Sequence, residues 1–95
     1  FVDDGRVNWD GRDPEWKDII GCRGATDVTN PVGEWNRIET YVDGGSATYV
    51  VNGVVVNKFT DSNLESGKLL IQSEAAEIFF RKLELRPLPD DIPGR

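Results

Sequence analysis

The sequence predicts an all-β domain whose strands follow one another as an antiparallel meander, the arrangement of half a β-sandwich. Residues 33–42, GEWNRIETYV, are predicted to form a strand, in which side chains alternate between two faces with a period of two. One face would carry Trp35, Arg37, Glu39 and Tyr41, and the other Asn36, Ile38, Thr40 and Val42. Asn52-Gly53 separates the β-branched runs YVV and VVV. This pair predicts a hairpin with a type I′ turn, because that turn needs a positive φ at both of its central positions.

The remaining strands are predicted from shorter apolar runs between turn signals that recur about every ten residues. The segment Asp43-Gly44-Gly45 is one such turn signal. Five strands are expected in all, at residues 33–42, 46–51, 54–59, 67–74 and 77–86.

The last two predicted strands carry apolar residues on both faces. Leu69 and Leu70 would point to opposite sides of a sheet, as would Phe79 and Phe80. A sheet that is apolar on both faces needs a covering layer on each side. We therefore expect missing chain or a partner to cover the second face.

The chain divides into three parts by composition. Residues 1–31 are rich in Gly and Asp and are predicted to be a loop-rich segment of the same domain, with a short strand near its start and a helical turn at 14–20. Residues 32–88 form the predicted meander, and residues 89–95 form a C-terminal tail rich in proline. The abrupt start at Phe1 suggests a processed, truncated or excised chain.

Composition excludes several classes of function. Asp and Glu outnumber Lys and Arg by 17 to 11, and the net charge of −6 disfavours binding to nucleic acid or to anionic membranes. No apolar run reaches the ~20 residues that a membrane-spanning helix needs. The sequence has no histidine and a single cysteine, Cys22, so it cannot supply a catalytic His, a His-ligated metal or an internal disulfide.

Residues 31–88 resemble the C-terminal half of the 3-keto-disaccharide hydrolase family. The features that carry the resemblance are ordered along the chain: Gly33-Glu34-Trp35-Asn36 at the start of a strand, the Asn52-Gly53 hairpin, Gly67 before a strand that ends in Gln72-Ser73-Glu74, Ile78 and Phe80-Arg81, and a closing Arg86-Pro87-Leu88. One position departs from the family pattern. The family usually has Gly after the Glu of the Gln-x-Glu element, whereas this chain has Ala75, which would be strained if the turn requires a positive φ.

The resemblance implies a fold, an activity and a location. The fold would be a concanavalin-like jelly-roll sandwich, of which this chain supplies about half, with a concave sheet that meets carbohydrate. The activity would be cleavage of 3-keto-glycosides or 3-keto-disaccharides by elimination followed by addition of water, and such chemistry needs a base near C2 of the sugar. The protein would be periplasmic or extracellular and bacterial, and its partners would be an oxidised saccharide and the remainder of the domain or a second chain.

Gln72 and Glu74 are the candidate catalytic residues. They lie two positions apart on a predicted strand and therefore share a face. Glu74 would be the base or accept from a sugar hydroxyl, and Gln72 would be a hydrogen-bond donor to the sugar. Equally, both would be the polar end of a strand that meets water. No metal ligands and no cofactor are expected within the chain, and any divalent metal would be held by residues outside it.

Arg81, Trp35 and Trp9 are the candidate substrate-binding residues. Arg81 would neutralise Glu74 or hold an enediolate, although a structural role tying strand ends together is favoured. Trp35 would stack on a sugar ring if exposed, although core packing is favoured for a tryptophan at the start of a strand. Trp9 lies in a loop that would suit a sugar site. A non-catalytic carbohydrate-binding sandwich stays open as the alternative function.

Overall fold

The computed structural model describes residues 28–73 and 75–94, together with the backbone of two short strands near the N-terminus. These two strands pair antiparallel, with Val2 opposite Val7, and three longer strands form a second sheet in which they lie in chain order. The described residues contain no helix and every pairing is antiparallel, so the predicted all-β class is confirmed. The strands are β1 (Val2–Asp3), β2 (Arg6–Val7), β3 (Ile38–Asp43), β4 (Ser46–Val51) and β5 (Val54–Phe59).

The Asn52-Gly53 hairpin forms as the sequence predicts. Asn52 has φ 49° and Gly53 has φ 84°, and the flanking residues Val51 and Val54 are paired. Positive φ at both central positions is the signature of the type I′ turn, whose twist matches that of the two strands.

The β3–β4 turn depends on its glycines in two different ways. Gly44 has φ 56°, a conformation that costs glycine little. Gly45 is instead needed for a close approach, because its carbonyl accepts a 2.9 Å hydrogen bond from the Ser62 amide. A Cβ on Gly45 would lie 3.0 Å from the Ser62 carbonyl oxygen. The chain leaving β5 is therefore tied to this turn.

The register of the sheet separates two faces. Thr40 lies opposite Tyr49, and Tyr49 lies opposite Asn57, so these residues share what we call the Tyr49 face. Ile38 and Val42 belong to the same face and are 65% and 57% exposed. The Tyr49 face is thus apolar and largely uncovered along β3.

The opposite face, here called the Val50 face, carries Glu39 opposite Val50 and Tyr41 opposite Thr48. Val50 also pairs with Val55, and the register shifts between Tyr49 and Val50 because β5 contains one extra residue, a β-bulge. Val50 is 3% exposed and Thr48 is 9% exposed. The Val50 face is therefore the better covered of the two.

The C-terminal tail lies on the Val50 face. A Cβ on Gly94 would meet the Val55 side chain at 3.4 Å and the Thr48 methyl group at 3.8 Å, and nearby Ile92 is only 7% exposed. Ile92, Ala47 and Val50 are the buried apolar residues of the described part of the chain, and Ala47 lies on the Tyr49 face whereas Val50 lies on the opposite one.

The strands predicted at residues 67–74 and 77–86 do not form in the described part of the chain. A strand is stable only when its backbone groups pair with a neighbour, and these segments find none; Leu70 is 78% exposed and Phe79 is 72% exposed. The first predicted strand also starts later, at Ile38, because residues before it are engaged in a turn. The second layer of a sandwich stays a prediction.

Candidate functional site

A tight turn starts the segment that leads into β3. The Glu34 amide donates to the Pro31 carbonyl at 3.1 Å, and Gly33 has φ 95°, as the third residue of a type II turn requires. This local geometry explains why the Gly33-Glu34-Trp35 sequence precedes the strand instead of forming part of it.

Asn52 fastens this segment to the tip of the β4–β5 hairpin. Its Oδ1 accepts from the Arg37 amide at 3.0 Å, and its own amide donates to the Arg37 carbonyl at 2.9 Å. Its Nδ2 donates to the Val28 carbonyl at 2.9 Å and to Asn36 Oδ1 at 2.8 Å. One side chain thus satisfies three groups of the preceding loop.

Asn30 fixes the backbone on either side of Trp35. The Asn30 amide donates to Asn36 Oδ1 at 2.7 Å, and Asn30 Nδ2 donates to the Trp35 carbonyl at 2.8 Å. Because the backbone of Trp35 is held in this way, its indole ring is presented from a defined position, and Trp35 is 49% exposed.

The structure brings together two of the predicted binding residues, Arg81 and Trp35. The Arg81 guanidinium carbon lies 4.3 Å from the centroid of the Trp35 ring. A cation–π contact of this kind at an exposed position contributes about 0.5–1 kcal/mol. The contact joins the loop before β3 to the C-terminal segment.

The other predicted site residues are not joined to this stack in the described residues. Gln72 is exposed, whereas Glu74 and Trp9 lie outside the described residues. The residue after Glu74, Ala75, has φ 54°, so the turn does require the conformation that favours glycine. The condition under which Ala75 would be strained is therefore met.

The structure links three side chains that the sequence placed on one face of the predicted strand but to which it assigned no role. Arg37 Nε lies 2.5 Å from Glu39 Oε1, and the Tyr41 hydroxyl donates to Glu39 Oε2 at 2.8 Å. The hydrogen bond to the Glu39 carboxylate raises the pKa of Tyr41 above its usual value, and its partial burial adds to the effect. The signal for this row was the alternation of 37, 39 and 41 along the predicted strand 33–42, although Arg37 itself precedes β3 in the structure.

The described ranges, 28–73 and 75–94, hold no group of three or more His, Cys, Asp or Glu residues that could bind a metal ion. Over the same residues, no helix is long and apolar enough to cross a membrane.

An exposed indole stacked against an arginine, in the loop that leads into a β-sheet, suits a ligand with apolar faces and polar edges. This description fits a carbohydrate-active β domain. Residues 5–86 match the model of the 3-keto-alpha-glucoside-1,2-lyase-like domain, and the chain belongs to that family. The resemblance to the 3-keto-disaccharide hydrolases seen in the sequence is thereby confirmed. No curated protein and no solved structure matches the chain.

Proposed function

We propose that this domain cleaves glycosides that are already oxidised at C3 of the sugar, by elimination and then addition of water. The observation that carries the proposal is the family match, which extends over residues 5–86 of the 95. The name of the family describes a 1,2-lyase of 3-keto-α-glucosides, which we interpret as elimination across C1 and C2 of the sugar.

The chemistry follows from the ketone. A carbonyl at C3 makes the proton at C2 acidic, so a base can remove it and leave an enolate whose charge rests on the C3 oxygen. The electron pair then forms the C1=C2 double bond as the bond from C1 to the glycosidic oxygen breaks. The leaving oxygen takes up a proton, and water adds later across the double bond. The domain must supply a base and a stabiliser of the enolate.

Glu74 is the residue we propose as the base, with Gln72 as a hydrogen-bond donor to the sugar. Arg81 is proposed to hold the negative charge that develops on the C3 oxygen. Its position over the Trp35 ring supports this role, because the stack orients a cation beside an exposed apolar surface. Trp35 would support the sugar ring, and Trp9 is proposed as a second ring in the same site.

A non-catalytic carbohydrate-binding function is the second candidate. The exposure of Trp35, 49%, together with its stacked arginine, favours it, because such a platform binds a sugar without any base. The two candidates differ only in whether the bound saccharide reacts.

Turnover of a 3-keto-glucoside by the full-length protein, as wild type and as Glu74→Gln, tests the proposal. We expect wild type to release the free leaving alcohol and Glu74→Gln to be slowed by a factor of about 10²–10⁴, the usual contribution of a general base. The matched control is Glu77→Gln, which removes an exposed carboxylate three positions further along. Binding without turnover by wild type would support the second candidate, and equal rates in all three proteins would remove Glu74 from the mechanism.

The reaction in D₂O separates elimination from direct hydrolysis. Elimination removes the C2 proton and hydration returns one from solvent, so the keto sugar product should carry deuterium at C2. Direct displacement at C1 leaves the C2 proton in place. Substrate recovered before cleavage gives the background exchange, and a product without deuterium above that level would exclude the elimination route.

Two further properties belong to the proposal. We propose a periplasmic or extracellular location. Any divalent metal that assists the reaction is proposed to be held by residues other than those of this chain.

A further inference from the structure

The row formed by Arg37, Glu39 and Tyr41 is not explained by its contribution to stability. Arg37 and Glu39 make an ion pair in which the arginine side chain is 76% exposed. An exposed ion pair contributes about 0–1 kcal/mol, because water screens the charges and two side chains lose freedom. We therefore consider whether the row binds a ligand.

The row keeps unused hydrogen-bonding capacity. Each oxygen of the Glu39 carboxylate has one partner among the described residues, and a carboxylate can accept about four hydrogen bonds. The terminal nitrogens of Arg37 still carry donors, and the Tyr41 oxygen can accept. Donors and acceptors thus lie side by side, as they must to bind neighbouring hydroxyl groups.

Buried residues of the neighbouring strand β4 lie beside Glu39 and Tyr41. Glu39 lies opposite Val50 in the ladder, and Tyr41 lies opposite Thr48, both of which are buried. The Glu39 side chain is 28% exposed, so it is partly shielded while one edge stays open to a ligand. A hydrogen bond made at such a partly desolvated carboxylate is stronger than one made in water.

The row also continues from the Trp35–Arg81 stack along the chain. Trp35 lies two residues before Arg37, and Arg37 is anchored to the hairpin tip through Asn52. Residues 37, 39 and 41 follow one another at alternate positions into β3, and the Trp35–Arg81 stack lies in the loop immediately before them.

We propose that Arg37, Glu39 and Tyr41 form a hydroxyl-binding edge of the saccharide site, in which Glu39 accepts from adjacent hydroxyls of the sugar. This inference rests on the proposed carbohydrate function and adds residues that the sequence did not single out. Arg37 and Tyr41 hold the carboxylate in position, and Arg37 also donates to the sugar. The ligand is a neutral saccharide with vicinal hydroxyl groups.

The test measures binding of trehalose and of 3-keto-trehalose to the full chain by NMR titration. Glu39→Gln should weaken binding about tenfold, because a charge-assisted hydrogen bond is lost. Tyr41→Phe should weaken it about threefold, because Glu39 loses a positioning bond but keeps its charge. Glu39→Asp, which keeps the charge on a shorter side chain, should recover part of the loss seen with Glu39→Gln.

The matched control is Glu84→Gln. Glu84 pairs with Arg86 at 2.5 Å, with the same two-residue spacing and in an exposed position, and its hydrogen bonds are to Arg86 and not to the row. Its loss should leave the dissociation constant unchanged. Amide spectra of β4 in each variant report whether the sheet is intact.

The outcomes separate this inference from the function on which it rests. If wild type binds either saccharide and the Glu39 and Tyr41 variants bind as tightly as Glu84→Gln, the row is a surface ion pair only and the inference is overturned alone. If wild type binds neither saccharide and turns over no 3-keto-glycoside, both proposals fall together.

Discussion

Replacing Asn52 should loosen the attachment of the loop before β3, and the size of the effect follows from the contacts. The Asn52 side chain makes three hydrogen bonds, to the Arg37 amide, the Val28 carbonyl and Asn36 Oδ1. At about 0.5–1.5 kcal/mol net for each bond, Asn52→Gly should lower the local stability by about 1.5–4.5 kcal/mol.

Asn52→Ala should lower the free energy of unfolding more than Asn52→Gly does, because Asn52 has φ 49°. The left-handed conformation costs an alanine about 1–2 kcal/mol. Glycine avoids this strain, but it lowers stability by about 0.5–1 kcal/mol relative to alanine, because it loses more conformational freedom on folding. We therefore expect Asn52→Ala to be the less stable variant by about 0.5–1 kcal/mol.

Hydrogen exchange of the Arg37 amide is the direct assay, because that amide donates to Asn52 Oδ1. A loss of about 2 kcal/mol of local stability should speed its exchange about 30-fold. Asn63→Ala, at an exposed position in the connection after β5, serves as the control and should leave exchange unchanged. Unaltered protection of Arg37 in Asn52→Gly would refute the hydrogen-bond reasoning, and an alanine variant as stable as the glycine variant would refute the strain reasoning.

Three further predictions follow from the turns and from the polar row. Gly45→Ala should lower the urea midpoint by an amount equivalent to about 1–2 kcal/mol, because the new methyl group would press on the Ser62 carbonyl at 3.0 Å. Ala75→Gly should raise stability by about 0.5–1 kcal/mol, because φ 54° strains alanine and not glycine. Tyr41 should titrate above its usual pKa of 10.0, as followed by phenolate absorbance, and Glu39→Gln should lower that pKa, because the hydrogen bond to Glu39 is the main cause of the shift.

The sign of the pH effect follows from that shift. A raised pKa in the folded protein means that folding favours the protonated phenol, so this contribution to stability is fully present below pH of about 10 and is lost as the pH rises through the folded pKa. Glu84→Gln should leave the Tyr41 titration unchanged.

For Gly45→Ala in the β3–β4 turn, Gly67→Ala is the control, since a Cβ on Gly67 would meet nothing within 4 Å. A Gly45→Ala protein as stable as Gly67→Ala would contradict the close-approach argument.

The strands and turns of residues 38–59 could be predicted from the sequence because their signals are local. Asn52-Gly53 requires the left-handed conformation at both positions, and the strand pairs on either side are formed by residues that are neighbours along the chain. The same local reasoning failed at residues 67–74 and 77–86. There the apolar pattern is clear, but a strand needs a ladder partner from elsewhere in the fold, and no pattern within the segment can supply one.

The site divides in the same way. The amino-acid pattern was enough to predict the all-β class, the family and Trp35 and Arg81 as candidate residues. The stacking of Arg81 on Trp35, and the contacts that link Arg37, Glu39 and Tyr41, are visible only in the folded chain. The physical reason is that backbone preferences are set by neighbouring residues, whereas contacts between side chains depend on how distant segments are brought together.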